Sequence, residues 1–347
     1  MADASMVRAA IVQAAPVPLA ITHGIAALPG LIEPALDQGA QIIAFGETFL
    51  GGYPLWLDEA PGAALWDHPG TRALHAVLLE EAIRIGDPRL APVQELVDRS
   101  GTLISIGAHE RVRSSLYNCQ LLLRPRQPPL IHRKLVPTHG ERLIWARGDG
   151  STLGIHAAPF GPVASLICWE HWMPLARAAM HNQGESVHIA AWPTVRETYA
   201  MASRHYAFEG RCFVLAAGTI QSREDVLQGL DLCSLDTEPL QAARTLIEAM
   251  PDGPLQFGGS IILRTRRNGA CSGRIGPRNA DRRSGHGPYR SGPRSARHRW
   301  PLCPPGRVRA EGRYPREDRR RLERSGLTDE QAGELDMGGP AELPHRP

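Results

Sequence analysis

Val163-Ala164-Ser165-Leu166-Ile167-Cys168-Trp169-Glu170-His171-Trp172-Met173-Pro174 is the stretch on which the fold turns. Its first five residues suit a short buried strand. The polar residues after Cys168 and the proline at 174 suit the start of a helix, where a missing N–H costs no intrahelical bond. A strand that ends on a thiol and then feeds a helix is a unit of an α/β sheet. The same alternation continues on both sides. Val7–Ala14, Gln41–Phe45, Leu153–Ala157, Val187–Trp192 and Cys212–Ala217 are expected strands, with helices over 71–84, 91–99, 173–182 and 198–210. Thr102–Val112 and Leu116–Leu123 fit an antiparallel hairpin about Arg113-Ser114-Ser115. A helical region ending near Gln38 is expected to break at Pro29-Gly30, and residues 221–256 are weakly patterned apart from a helix at 240–249.

The chain has 347 residues, 42% of them hydrophobic, enough for a sizeable core, and no apolar run approaches the roughly 18 residues of a membrane helix. Six cysteines without paired spacing are not a disulfide framework, and the N-terminus lacks an apolar signal region. A cytoplasmic setting is therefore expected. The net charge of +3 hides an asymmetry: residues 261–347 hold 20 Arg against 10 acidic residues, and the preceding part holds 19 basic against 26 acidic. From Arg264 onward Val, Ile, Leu and Phe supply only 7 of 84 residues, too few to offset the entropy of ordering. Two regions are expected: a folded domain over 1–263 and an Arg/Gly/Pro-rich tail over 264–347, disordered or shifted out of reading frame near codon 263. Of the 39 basic residues Lys134 alone is a lysine. A surface site would accept the arginine used elsewhere, so that position points to a need for a compact ammonium.

Three polar residues close three strand candidates: Glu47 after Gln41–Phe45, Lys134 after Pro129–Arg133 and Cys168 after Val163–Ile167. Strand ends in an α/β sheet can share one rim, where ligand sites form. A thiol, an amine and a carboxylate together are the groups of covalent acyl chemistry. A helix start beside Cys168 would favour its thiolate. Each residue also has an ordinary reading: Cys168 as a small buried hydrophobe, Glu47 as a cap, Lys134 as a surface charge. His132, His139, His171, His181 and His188 show no metal-ligand spacing and read as solvent-facing or satisfied core histidines.

The segments around these residues resemble the nitrilase superfamily, and within it the nitrilase branch. Gly39 to Pro54 resembles its glutamate segment, with Gly52-Tyr53-Pro54 after Glu47. His132 to Gly150, including Glu141-Arg142-Leu143-Ile144-Trp145, resembles its lysine segment, and Cys168-Trp169-Glu170-His171 its nucleophile segment. Three ordered motifs are more specific than one. The resemblance covers about residues 7–263 and implies an α-β-β-α sandwich that pairs through its helical faces into a homodimer or larger homo-oligomer. It implies Cys168 as nucleophile, Glu47 as general base, Lys134 as stabilising cation and Glu141 as a second glutamate orienting substrate and lysine. An ordinary salt bridge to Arg142 or Arg147 is the other reading of Glu141. The implied substrate is a small nitrile, and no metal or organic cofactor is implied. Tyr53, Trp56, Trp169 and Trp192 are candidates for the pocket wall, each with core or loop packing as its ordinary reading.

The chain departs from the family after Phe257-Gly258-Gly259-Ser260, where further strands and a dimer-spanning segment are not recognisable. Amide hydrolysis and cyanide conversion by the same three groups stay open, as does an inactive product of a damaged gene. Nucleic-acid binding by the Arg-rich tail is disfavoured, because the tail lacks aromatic interleaving and any known module.

Overall fold

The computed structural model describes residues 6–233, 237–265, 271–274 and 306–313. The site and core described below belong to the compact unit Val7–Gly312. Its first sheet contains β1 (Met6–Gln13), β2 (Val17–Pro18), β3 (Ile42–Ala44), β4 (Leu50–Gly51), β5 (Leu103–Val112), β6 (Ser115–Arg124) and β7 (Gln127–Arg133). β1, β3 and β5 run parallel, with Ile43 opposite both Ala10 and Ile104, while β5, β6 and β7 form an antiparallel meander. Between these strands lie α1 (Ile21–Leu36), α2 (Trp56–Glu59), α3 (Pro69–Glu81) and α4 (Ala91–Ser100).

Period-two alternation in β5 and β6 sets up the site. Ile104, Ile106, Ala108, Cys119, Leu121 and Leu123 enter one apolar core with Leu28 and Ile32 of α1 and Val93 and Val97 of α4. The intervening residues Ser105, His109, Asn118 and Gln120 are buried and polar. One face of the sheet is thus covered by helices, and the other carries hydrogen-bonding groups in its interior.

The second sheet contains β8 (His156–Ala158), β9 (Gly161–Ile167), β10 (Val187–Ala191) and β11 (Phe213–Ala217), flanked by α5 (Pro174–Asn182) and α6 (Glu197–Gly210). After the ribbon β12 (Ile220–Ser222) and β13 (Pro254–Phe257) come β14 (Ile261–Thr265) and β15 (Cys271–Arg274), which continue this sheet, and β16 (Gly306–Arg313), which borders β1. β9, β10 and β11 are parallel, so Ile167, Ala191 and Ala217 end at one level. Ala164, Leu166, Ala190, Val214 and Ala216 pack with Ala176 and Met180 of α5 and Tyr206 and Ala207 of α6. A further core joins α3 to α7 (Arg223–Asp231) and α8 (Thr237–Glu248) through Leu74, Leu78, Val226 and Ile247. The two sheets meet through their inner faces, giving an α-β-β-α sandwich. Glu47 N–H, just past β3, donates to the Trp192 carbonyl just past β10 at 3.0 Å, and Ser260 N–H donates to Gln13 Oε1 at 2.8 Å.

Three expectations need correction. α1 runs through Pro29 and Pro34 without the break, because Ile25, Leu28 and Ile32 bury one continuous stripe against the first sheet, and that packing outweighs the lost backbone bonds. The segment 221–256 holds a further helix, α7, whose start is fixed by Ser222 Oγ accepting from Asp225 N–H at 3.1 Å. The strand expected at Leu153–Ala157 is reduced to His156–Ala158. Of the segment from Arg264 onward, Arg264, Thr265, Cys271–Arg274 and Gly306–Arg313 are strand residues. The rest, with the expected change of reading frame, lies outside the described residues.

Candidate active site

Glu47 is fully buried where the chain leaves β3. The backbone there presses against β5 so closely that a Cβ on Gly107 would stand 2.3 Å from Thr48 N and 2.4 Å from Gly46 O. Any side chain at 107 would therefore displace the carboxylate. Asn118 Nδ2, from the polar face of β6, donates to Glu47 Oε1 at 2.7 Å. The second oxygen, Glu47 Oε2, is buried and makes no hydrogen bond to the protein.

Lys134 follows β7 and is also fully buried. Its N–H donates to Asn118 O at 2.8 Å and its carbonyl accepts from Gly148 N–H at 2.8 Å. A Cβ on Gly148 would lie 2.6 Å from Arg133 O, so this second glycine lets the Gly148 turn close over the lysine. Lys134 Nζ meets Glu47 Oε1 at 2.7 Å and Glu141 Oε1 and Oε2 at 2.9 and 2.8 Å. An ammonium has three N–H donors, and here three carboxylate oxygens face them. Glu141 is held in turn by the Tyr53 hydroxyl at 2.9 Å and by Thr138 N–H at 2.7 Å. No contact of Glu141 with Arg142 or Arg147 is needed to satisfy it.

Two carboxylates around one ammonium leave a net negative charge out of water. Burial, aided by Glu141 and opposed by Lys134, pushes the Glu47 carboxyl up to about 7. For Lys134 burial works toward the neutral form. Glu47, Cys168 and Glu141 outweigh it and hold the ammonium above its usual range, so the lysine stays charged.

Cys168 ends β9 with a positive φ of 48°, a left-handed backbone that side chains rarely adopt. It is buried and opens a short turn, Cys168–Trp172, ahead of α5. The charges of Glu47, Lys134 and Glu141 and the dipole of the adjacent Trp169 N–H all act on its sulfur. The four groups that the sequence placed at three strand ends and one loop are thus brought together. Burial, then the Glu47 charge, push the thiol well above its usual range, against Lys134 and the Trp169 N–H.

The two halves of this cluster are joined by Glu170, which is fully buried. It accepts from Leu135 N–H at 2.7 Å beside the lysine and from Ile167 N–H at 2.6 Å beside the cysteine, and pairs with His132 Nε2 at 2.9 Å. Burial alone would raise its carboxyl. His132 and the two backbone donors reverse that and hold it below the usual carboxylate range. Glu170 therefore sets the spacing between the Lys134 and Cys168 loops.

The family can be read at this point. Residues 8–240 match the carbon-nitrogen hydrolase family. The chain belongs to that family. As a hydrolase of carbon–nitrogen bonds it is similar to the aliphatic nitrilase of Sinorhizobium fredii, 36% identical over 74% of this chain and 79% of that protein. It is also similar to a nitrilase of Pseudomonas syringae pv. syringae, 35% identical over 70% and 71%. Among solved structures, a mutant amidase from Nesterenkonia sp. AN1, carrying the acetamide moiety of fluoroacetamide at its active site cysteine, shares the fold. It has a TM-score of 0.58 at 14% identity and covers 93% of this chain and 98% of its own.

The four aromatic candidates of this hydrolase fall in different places, and Trp56 is buried in the core that joins α3 to α7 and α8. Tyr53 lies against the cluster through its hydroxyl bond to Glu141, and its ring meets the edge of Trp145 at 5.9 Å. Trp169 is 48% exposed, with its ring 5.0 Å from Trp172. Trp192 is fully buried in the core beneath α6, stacked on Tyr199, and it is its carbonyl that meets Glu47. Sequence reasoning missed Asn118, Glu170 and His109. His109 accepts from Trp145 Nε1–H at 3.1 Å, and its own Nε2 faces Gly52 O at 2.8 Å. Burial pushes its imidazole down to about 4, which keeps it neutral. The signal for Asn118 and His109 was available as polar residues at alternate positions of two otherwise apolar strands.

Glu170→Gln tests the joint. The variant leaves His132 without its carboxylate and sets an amide NH₂ against a backbone N–H. A loss of about 3 kcal/mol in urea unfolding is expected, the scale for breaking a buried pair. A loss below about 1 kcal/mol, the scale of an exposed pair, would contradict the joining role.

Proposed function

We propose that this chain hydrolyses small nitriles to the carboxylic acid and ammonia, with Cys168 as nucleophile, Glu47 as general base, Lys134 as the fixed cation and Glu141 as the group that orients it. The observation that carries this reading is the buried Glu47–Lys134–Glu141 cluster, coupled to a thiol on strained backbone. The names of the two relatives support nitriles as the substrate class.

Glu47, with one unpartnered oxygen and a near-neutral carboxyl, takes the thiol proton as sulfur attacks the nitrile carbon. The nitrile nitrogen gains that proton, giving a thioimidate. Water adds to the same carbon, the nitrogen leaves as ammonia, and a thioester remains. A second water, deprotonated by Glu47, adds to the thioester carbon, and collapse expels the sulfur, which regains its proton as the acid departs. Lys134 faces the negative charge of each tetrahedral species without changing its protonation state.

The reading extends to assembly and setting. Leu175 on α5 and Met201 and Phe208 on α6 are 85, 60 and 44% exposed, which supports pairing of copies through these helical faces. Cys119, Cys168 and Cys233 are not joined in disulfides, as a thiol enzyme in the reducing cytoplasm requires. Among the described residues no helix is long and apolar enough to cross a membrane. On this reading residues 1–263 form the catalytic domain and 264–347 a tail.

Ammonia release from a panel of small nitriles and their matching amides tests the proposal. Turnover of nitriles to the acid is expected, and turnover of amides alone would overturn it. The pH dependence adds a check. A base must be ionised to act, so kcat/KM is expected to fall as pH drops through about 7, the Glu47 value. A profile flat from pH ~5 to ~8 would exclude Glu47 as the base.

A further inference from the structure

Behind the nucleophile, on the helical side of the second sheet, runs a buried line of polar groups that the reaction does not use. His171 Nδ1 lies 2.8 Å from the Cys168 carbonyl oxygen. Its Nε2 lies 3.0 Å from His188 Nε2, and His188 Nδ1 lies 2.7 Å from Glu185 Oε2. Both imidazoles are buried, at 2% and 0% exposure. The remaining Glu185 oxygen accepts from the Tyr206 hydroxyl and faces His181 Nδ1 at 3.1 Å. His181 Nε2 lies 3.3 Å from Glu209, which also pairs with Arg177.

Counting hydrogens along this line fixes its charge. The Cys168 carbonyl at one end and the Glu185 carboxylate at the other can only accept. Three contacts join them through two imidazoles, and each contact needs one hydrogen. Two neutral imidazoles carry two hydrogens between them, so one contact would be left as a clash of lone pairs out of water. A protonated Glu185 could supply the third. That carboxyl is instead held down to about 2 by His188, His181 and Tyr206, which outweigh its burial.

We infer that His171 and His188 together hold three ring hydrogens and one positive charge, paired with Glu185, and that this charged pair positions the Cys168 carbonyl and thereby the strained backbone of the nucleophile. The extra proton is placed on His188, the ring that faces the Glu185 carboxylate at 2.7 Å, while burial and the neighbouring His188 drive His171 toward its neutral form. His171 then donates from Nδ1 to Cys168 O and accepts at Nε2. His171 also packs against Trp192, with ring centroids 4.7 Å apart and the rings tilted by 31°, which holds the ring toward the carbonyl. The charged and titratable groups around the pair are Glu185, His181, Tyr206, Arg177, Glu209 and the Cys168 thiol. The positioning role rests on Cys168 being the nucleophile; the protonation state does not.

Heteronuclear NMR of the histidine ring nitrogens in the full chain tests the charge. One imidazole carrying both ring hydrogens at about pH 7 is expected. It should turn neutral in Glu185→Gln, whose amide can donate to His188 Nδ1, and vanish in His188→Gln. His181→Gln removes the signal of the ring between Glu185 and Glu209, which is the one that could be confused with it. Absence of a doubly protonated imidazole, or its persistence in both Glu185→Gln and His188→Gln, would overturn the inference. His171→Phe tests the positioning, since it keeps the packed ring and loses the bond to Cys168 O. A fall in kcat of about tenfold with KM within about twofold is expected, the mark of misplaced reacting atoms. An unchanged kcat would end the positioning role. Because the NMR readout needs no turnover, it separates failure of this inference from failure of the nitrile reading.

Discussion

Cys168→Ala is expected to release no ammonia from any nitrile while folding as before. The side chain is small, and it sits buried among the apolar residues of the second sheet's core. Loss of the sulfur costs about 1 kcal/mol of packing, within the range of small core truncations. Among the described side chains the chemistry has no substitute. Cys119 is buried among the helix-facing residues of the first sheet, Cys212 is buried in the core of the second sheet and Cys233 lies beside α7, so none can replace the lost sulfur. Loss of a covalent nucleophile leaves only binding and electrostatics, a fall of roughly 10⁴-fold or more. A thermal melt within a few degrees of the parent, with ammonia release at background, is the expected pair of results. Residual turnover within tenfold of the parent would transfer the nucleophile elsewhere.

The reach of the sequence can be judged residue by residue. Glu47, Lys134 and Cys168 were legible because each closes a strand, and strand ends share a rim whatever the loops do. Lys134 was marked further by being the sole lysine, and its three donors against three carboxylate oxygens give the physical reason an arginine does not serve. Glu141 was legible only through the resemblance. Its partners Tyr53 and Lys134 lie on loops whose approach depends on the tertiary fold, 88 and 7 residues away.

What stayed hidden has a common cause. Asn118 reaches Glu47 across 71 residues, and Glu170 reaches His132 across 38. Periodicity reports which face a residue occupies and is silent about what it meets there. Helix α1 shows the opposite limit: its two prolines are strong local breakers, yet a continuous apolar stripe overrides them. Helix α7 was within reach, since Ser222 followed three residues later by Asp225 is a cap signal that the weak hydrophobic patterning obscured.

Lys134→Arg is expected to lose about 10²- to 10³-fold in kcat, the cost of losing one preorganised donor at a reacting centre. A guanidinium keeps the positive charge but is planar and longer. It cannot direct three donors at Glu47 Oε1 and both Glu141 oxygens from the Lys134 position, and Gly148 closes the space behind the backbone. Lys134→Met separates charge from shape. It leaves two buried carboxylates with no cation, a destabilisation of about 3–5 kcal/mol in urea unfolding. Lys134 is also what opposes the rise of the Glu47 carboxyl, so without it that carboxyl moves above about 7 and stays protonated to higher pH. The acid limb of any remaining activity in Lys134→Met is therefore expected to shift to the alkaline side, while Lys134→Arg, still cationic, shifts it less. Near-normal kcat in Lys134→Arg would show that any positive charge suffices and would remove the geometric reading of the lysine. An acid limb unmoved in Lys134→Met would instead separate Glu47 from the group that titrates.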